Sequence, residues 1–154
     1  LDDGIKGYVL VNILEPLQQA DPDAFETAKA AYLALPLEDL QDRANRAALL
    51  QNIGELDAAI EESETLLVAL PDNAQVLNNH CYMLHEAGRD EEAETYCRQA
   101  LEIMPDAAPI KHSLASVLAG LGQCEQAETL RLEAKAASPS TAAYDEKLAC
   151  TPGG

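Results

Sequence analysis

The side chains best able to do chemistry in this sequence are three histidines, four cysteines and many carboxylates. A histidine within hydrogen-bond reach of a carboxylate can act as a general acid or base. The sequence has no nucleophile elbow, phosphate-binding loop or metalloprotease motif to accompany His80, His85 and His112. No Cys-x-x-Cys pair or matching histidine spacing predicts a metal site. We therefore expect no catalysis, no metal and no other cofactor.

A period of 34 residues organises the elements that carry these side chains. Three residue types keep this spacing: Pro71, Pro105, Pro139; Gly54, Gly88, Gly122; and Ala59, Ala93, Ala127. Self-similarity at such a period is typical of stacked helical repeats.

The unit 74–107 shows what one period encodes. Its first helix should run from about Ala74 to Ala87, with a buried stripe of apolar residues at helical spacing. Gly88 can adopt the positive φ of a helix exit, and acids from Asp90 onward suit the start of a second helix. Pro105 ends that helix.

The stretch LNNHCYMLHEAGRDEEAETYCRQALEIMPD resembles a tetratricopeptide repeat, with small residues at Cys81, Ala93 and Ala100, Gly88 at the turn and a closing Pro105. The resemblance covers about residues 39–140. It implies an all-α, right-handed superhelical solenoid of antiparallel helical hairpins, with about nine helices. A protein of this family binds other proteins or peptides.

The expected organisation has three parts. Residues 1–38 form a degenerate N-terminal hairpin with helices at 5–19 and 23–35, the second started by Asp21-Pro22. Residues 39–140 hold three units, at about 39–73, 74–107 and 108–140. Residues 141–154 form a capping helix, from Thr141 to about Ala149, and a tail. The apolar segment YVLVNIL at 8–14 is a candidate surface for homo-oligomers or for packing on another domain.

The repeat also places the cysteines. Cys81 and Cys97 lie 7 residues before and 9 after Gly88, so they should be nearly level on antiparallel helices. Both occupy core columns, and we favour two free buried thiols there over a disulfide. Cys124 and Cys150 should meet at one edge, and we favour a disulfide between them. Such a bridge would favour an exported or periplasmic protein over a cytoplasmic one.

In this family the first helices of successive units line a concave groove, and the resemblance carries that role to matching columns here. The groove candidates are Asn45, Gln75, Asn78, Asn79, Tyr82, His85, His112 and Ser116. These residues make a polar, nearly uncharged surface. The Lys and Arg columns that clamp acidic C-termini hold Ala44, Asn78 and His112, or Ala48, Tyr82 and Ser116, which excludes that mode. Asn45, Asn78 and Asn79 could instead begin a ladder of amides along a peptide backbone, although asparagine in such columns often bonds between helices.

The net charge of −17 argues against nucleic acid and against an anionic membrane surface, because both need clustered Lys and Arg. No apolar run is long enough for membrane insertion. We expect an interaction scaffold or adaptor for a protein or extended peptide, in a bacterial envelope or secretion assembly. The alternatives are an accessory domain of a larger enzyme and a self-assembling structural array.

Overall fold

The computed structural model describes residues 12–14, 16–37 and 39–152. Every regular element in that part of the chain is helical, which confirms the all-α fold class. The elements are α1 (Pro22–Leu33), α2 (Leu40–Asn52), α3 (Leu56–Ala69), α4 (Ala74–Glu86), α5 (Asp90–Ile103), α6 (Ala108–Gly120), α7 (Cys124–Ala137) and a 3-10 helix, Ala142–Tyr144. Residues 12–14 and 16–20 are helical as well.

Two compact units divide the chain, one ending at Ala59 and one starting at Ile60. In the first unit, the predicted Asp21-Pro22 start of α1 is confirmed, because the Asp21 carboxylate accepts a hydrogen bond from Ala24 N at 3.1 Å. The far end of α1 is covered by the buried guanidinium of Arg46, which donates to Leu35 O at 3.1 Å. The predicted helix at 5–19 and the apolar segment at 8–14 lie largely outside the described residues.

The second unit contains α3 from Ile60 onward and two helical hairpins, α4–α5 and α6–α7. Each hairpin turns at a glycine with positive φ, +74° at both Gly88 and Gly122. At the first turn, Gly88 N and Arg89 N donate to carbonyls of the last turn of α4, each at 2.9 Å. Besides its own partner, α6 contacts both α4 and α5, so the first helices of successive hairpins lie side by side.

Small residues allow this close packing. Ala93 and Ala100 on α5 have no exposed surface, as the repeat pattern predicts. Ala100 shares a cluster with Ala74, Leu77 and Ile110, drawn from three helices. A larger side chain at these alanines would force the helices apart, because the interior is already close-packed.

The C-terminal end differs from the prediction. A helix from Thr141 to about Ala149 is wrong: only Ala142–Tyr144 is helical, as one 3-10 turn, and residues 147–152 are irregular. The cause is local. Arg131 Nη1 of α7 donates to Tyr144 O, so that carbonyl is bound by a side chain where a longer helix would use it for a backbone hydrogen bond.

Two disulfides cross-link this second unit. Cys124 is bonded to Cys150 with a Cα–Cα distance of 5.6 Å, as favoured from the sequence. Cys81 is bonded to Cys97 at 5.4 Å, so the preference for two free buried thiols is wrong. Their level positions on either side of Gly88 bring the Cα atoms within disulfide range, and burial in the core does not prevent the bond.

Candidate functional site

The predicted groove residues of α4 and α6 lie in the second unit, and they differ in how much of each side chain is exposed to solvent. Gln75 and Asn79 are exposed, whereas Tyr82, His85 and His112 are half-buried. Asn78 and Ser116 are buried, at 7% and 9% exposed, so these two candidates contribute little to the polar surface that the sequence predicts. The eighth candidate, Asn45, is exposed on α2 in the first unit. A face of this kind offers hydrogen bonds at its surface and a few deeper polar atoms.

Both α4 and α2 carry a glutamine and an asparagine one helical turn apart whose side-chain amides are hydrogen-bonded. Gln75 Nε2 donates to Asn79 Oδ1 at 2.7 Å, and Gln41 Nε2 donates to Asn45 Oδ1 at 3.1 Å. Each bond stays within one helix, so the two asparagine oxygens are bonded within their own helices and not between helices. Because the asparagine oxygen is the acceptor in both pairs, its NH2 group remains the donor that this exposed side chain can offer.

Asn78 carries the least satisfied polar atom of this face. Its Oδ1 is buried and has no hydrogen-bond partner within the described residues. A buried acceptor left unpaired costs about 1–3 kcal/mol, so native proteins rarely keep one. Asn78 sits one turn before Tyr82, and the equivalent position one period later is His112. The orphan oxygen is therefore central to the candidate face.

The two aromatic side chains after Asn78 lie close together, with ring centroids of Tyr82 and His85 6.0 Å apart. Burial, and then the nearby charge of Glu86, raises the pKa of the Tyr82 phenol, so Tyr82 acts as a neutral donor and acceptor. His85 Nδ1 is 2.5 Å from Asp90 Oδ1, across the Gly88 turn. That carboxylate also lies against Gly120, beside a shallow cleft lined by residues 88–92, 120 and 121.

His112 is covered on one side by the chain that follows α7. Its ring centroid is 4.8 Å from that of Tyr144, which is 6% exposed and packs with Ala108 and Ala134. Burial, and then the charge of Arg131, lowers the pKa of His112, so the ring is held in its neutral form. Ser116 donates to His112 O at 3.1 Å and is committed to its own helix. Tyr144 could not be predicted as part of this site, because its contact with His112 depends on the path of the C-terminal chain.

His80 belongs to the core and not to the face. It is 1% exposed, its Nδ1 is 2.6 Å from Ser63 Oγ, and its ring meets Tyr96 edge-on at 4.5 Å. Burial lowers its pKa. The three histidines thus have separate partners, namely Ser63 for His80, Asp90 for His85 and the Tyr144 ring for His112. Within the described residues, no group of three or more His, Cys, Asp or Glu side chains could hold a metal ion.

Solved structures share this arrangement of helices. The second TPR domain of human RPAP3, in complex with the HSP70 peptide SGPTIEEVD, superposes with a TM-score of 0.62 and 19% identity, over 71% of this chain and 95% of that one. The fold is that of a tetratricopeptide-repeat array. MamA residues 41 to the end, from Desulfovibrio magneticus RS-1, gives 0.64 and 16%, over 90% and 79%. PilF of Pseudomonas aeruginosa gives 0.63 and 19%, over 94% and 66%.

These likenesses are structural. No protein-family model matches the chain, and no curated protein sequence does. At identities below one fifth, the tetratricopeptide-repeat structures establish how the chain folds. In the part of the chain that the structure describes, none of the helices has the length and apolar character needed to cross a membrane.

Proposed function

We propose that this chain is a protein-interaction scaffold that holds an extended peptide segment of a partner against α4 and α6. The residues of the second unit that would contact the peptide are Gln75, Asn78, Asn79, Tyr82 and His112, which we call the amide face. His85 and Ser116 border it, whereas Asn45 lies in the first unit and stays a separate prediction. The tetratricopeptide-repeat fold supports this proposal, since arrays of this fold expose such a face on their first helices.

The unpaired Asn78 Oδ1 is the observation that carries the proposal. An extended peptide presents backbone N–H groups at regular intervals, and one of them would donate to this oxygen once a rotation of the Asn78 side chain brings it to the surface. The exposed NH2 group of Asn79 would meet peptide carbonyls. Binding would then satisfy an acceptor that is left without a partner in the free protein, and it would do so without requiring a particular peptide sequence.

The charges near the face favour a neutral or basic partner. Nearly every cation of the second unit is ion-paired: Arg89 with Glu92, Arg98 with Glu94, Lys111 with Glu133, Arg131 with Glu128 and Lys135 with Asp145. The amide face itself contains no Lys or Arg. The protein has a net charge of −17, so it would repel an acidic peptide, such as the one bound by RPAP3, over distances up to the Debye length.

A random peptide library displayed on phage, selected against the oxidised protein, provides ligands for a direct test. The affinity of selected peptides would be measured by calorimetry for the wild type and for a triple variant, Asn78→Ala, Tyr82→Ala and His112→Ala. We expect the triple variant to lose binding and keep its helical circular dichroism. Gln99→Ala is the matched control, because it removes an exposed amide from α5, away from the face. Equal affinity of the triple variant and the wild type would refute the proposal.

A second variant separates a binding role for Asn78 from a structural one. Asn78→Leu replaces the buried unpaired amide with an apolar group of similar size. We expect the free energy of unfolding to rise by about 1–3 kcal/mol, since the cost of the orphan oxygen disappears. Peptide affinity should fall. A loss of stability would show that Asn78 contributes to folding, and the observation behind the proposal would fail.

We further propose that the protein acts in an oxidising compartment, in a bacterial envelope or secretion assembly. Two disulfides within one small helical unit support this setting, because such bonds persist outside the reducing cytosol. The test is a count of free thiols under denaturing conditions in protein taken from its native cells. Four free thiols would exclude the oxidising compartment without affecting the peptide-binding proposal.

A further inference from the structure

We infer that the Cys124–Cys150 disulfide is a redox-controlled latch that keeps one side of the His112 ring covered, and that reducing it makes this side of the ring available to a peptide bound on the amide face. The inference rests on the proposed function of that face for its effect on binding. The latch itself concerns the chain from Ser138 to Cys150, which we call the cap segment.

The cap segment blocks one side of a residue of the amide face. Tyr144 stacks on His112 with ring centroids 4.8 Å apart and a tilt of 36°. The phenol ring is itself buried against Ala108 and Ala134. A peptide lying along α4 and α6 can therefore use Asn78 and Tyr82 while this side of the His112 ring is occupied by the protein's own chain.

Noncovalent contacts hold the cap segment only at a few points. Lys135 Nζ donates to Pro139 O and pairs with Asp145 at 2.7 Å, but the Asp145 side chain is 62% exposed. Arg131 donates to Tyr144 O. Beyond Glu146 the chain is irregular and mostly exposed. Exposed ion pairs contribute little, and ordering an irregular segment costs conformational entropy at every residue. Apart from the packing of Tyr144 on Ala108 and Ala134, the disulfide is thus the main restraint on the cap segment.

The two disulfides differ in access. Cys81 and Cys97 have no exposed surface, whereas Cys124 and Cys150 are both partly exposed. Thiol–disulfide exchange needs a thiolate to reach a sulfur atom, so a dithiol reductant attacks the Cys124–Cys150 bond first. Its thiolate forms a mixed disulfide with one cysteine and releases the other as a thiol. The second reductant thiol then displaces the remaining cysteine. Two electrons pass to the protein, which gains two thiols, while the reductant becomes a disulfide.

The experiment follows the opening of the cap segment directly. The protein would be treated with graded dithiothreitol, alkylated and analysed by mass spectrometry, with hydrogen exchange measured in parallel. We expect Cys124 and Cys150 to be alkylated before Cys81 and Cys97. Exchange of the hydrogen-bonded amides of Thr141, Tyr144 and Asp145 should accelerate on the order of a hundredfold, while α4 and α5 stay protected. The variant Cys124→Ser/Cys150→Ser should show the same exchange without reductant. Unchanged protection of the cap segment in that variant would overturn the latch.

Exposure of His112 has its own readout. The NMR titration of its ring should move toward the ordinary value of 6.5 when Tyr144 leaves, although Arg131 still acts on it. Tyr144→Ala in the oxidised protein should produce the same change without reduction. A selected peptide should bind the latch-open variant about tenfold more tightly, as a hot-spot aromatic contact would give, and His112→Ala should remove that difference. Equal peptide affinity in both redox states would refute the link between the latch and binding. Absence of peptide binding in both states would contradict the proposed function, and the hydrogen-exchange result would then decide whether the latch exists.

Discussion

Replacing Gly120 with alanine should destabilise the protein, although replacing a helical glycine with alanine usually stabilises a helix. Such a change ordinarily stabilises a helix by about 0.5–1 kcal/mol, because alanine loses less conformational entropy on folding. Here a Cβ at position 120 would stand 2.7 Å from Asp90 Cγ and closer still to its Oδ2. Real Cβ atoms do not approach other atoms so closely. The Asp90 carboxylate must therefore move away.

The displacement breaks a specific contact. Asp90 Oδ1 is 2.5 Å from His85 Nδ1, and the two side chains are 18% and 26% exposed. A hydrogen bond to a charged group contributes about 1.5–3 kcal/mol, and partial exposure places this one at the lower end. Subtracting the gain in helix propensity leaves Gly120→Ala destabilising by about 0.5–1 kcal/mol.

A double-mutant cycle in urea, followed by circular dichroism, measures this coupling. In the Asp90→Ala background the carboxylate is absent, and Gly120→Ala should stabilise the protein by about 0.5–1 kcal/mol. The two substitutions should therefore couple by about 1–2 kcal/mol. If Gly120→Ala stabilised both backgrounds equally, the Asp90 carboxylate would not occupy the space beside Gly120, and the reasoning would be wrong.

Three further predictions concern stability. Because burial lowers the pKa of His80, the histidine of the unfolded chain is protonated at a higher pH than the folded one. The contribution of neutral His80 to the free energy of unfolding is therefore fully present above the ordinary pKa of 6.5 and is lost as the pH falls below it. His80→Gln should flatten this pH dependence in urea titrations. Replacing Cys81 and Cys97 with alanine opens a loop of 16 residues and should cost about 3 kcal/mol in guanidinium unfolding; a loss below about 1 kcal/mol would contradict the entropy model. Asn73 accepts from Gln75 N and Val76 N at the start of α4, so Asn73→Ala should lower the free energy of unfolding by about 1 kcal/mol and Asn73→Gly by only a few tenths.

The hairpins could be predicted from the sequence because their causes are local. Gly88 ends α4 and Asp90 starts α5 within a residue of the expected bounds, since a positive φ and an acidic first turn depend on nearby residues. The Cys124–Cys150 bond could also be predicted, because the repeat places Cys124 beside the Gly122 turn and Cys150 is expected near the same edge. The bond forms although the helix expected before Cys150 does not.

The remaining differences depend on long-range packing. Asn78 lies in a groove column of the repeat, yet only 7% of it is exposed. Neither the short 3-10 turn nor the contact of Tyr144 with His112 could be predicted, because both require the Arg131 guanidinium to reach across from α7. In the same way, Arg46 of α2 binds a carbonyl at the end of α1. The sequence pattern of α2 shows Arg46 only as a charged residue and does not predict this contact. Polar side chains in these interiors are placed by the fold and not by the repeat.

The Cys81–Cys97 disulfide joins two helices of the same hairpin, and this has a consequence for the order of folding. In a repeat array, stability is approximately a sum of units and their interfaces, and unfolding usually starts at the ends. A covalent staple inside one unit shortens the loop that must close to form that hairpin, so the hairpin pairs at lower entropic cost than its neighbours. The oxidised α4–α5 hairpin is then the natural nucleus on which adjacent units assemble, and the last segment to lose its protection when the array frays.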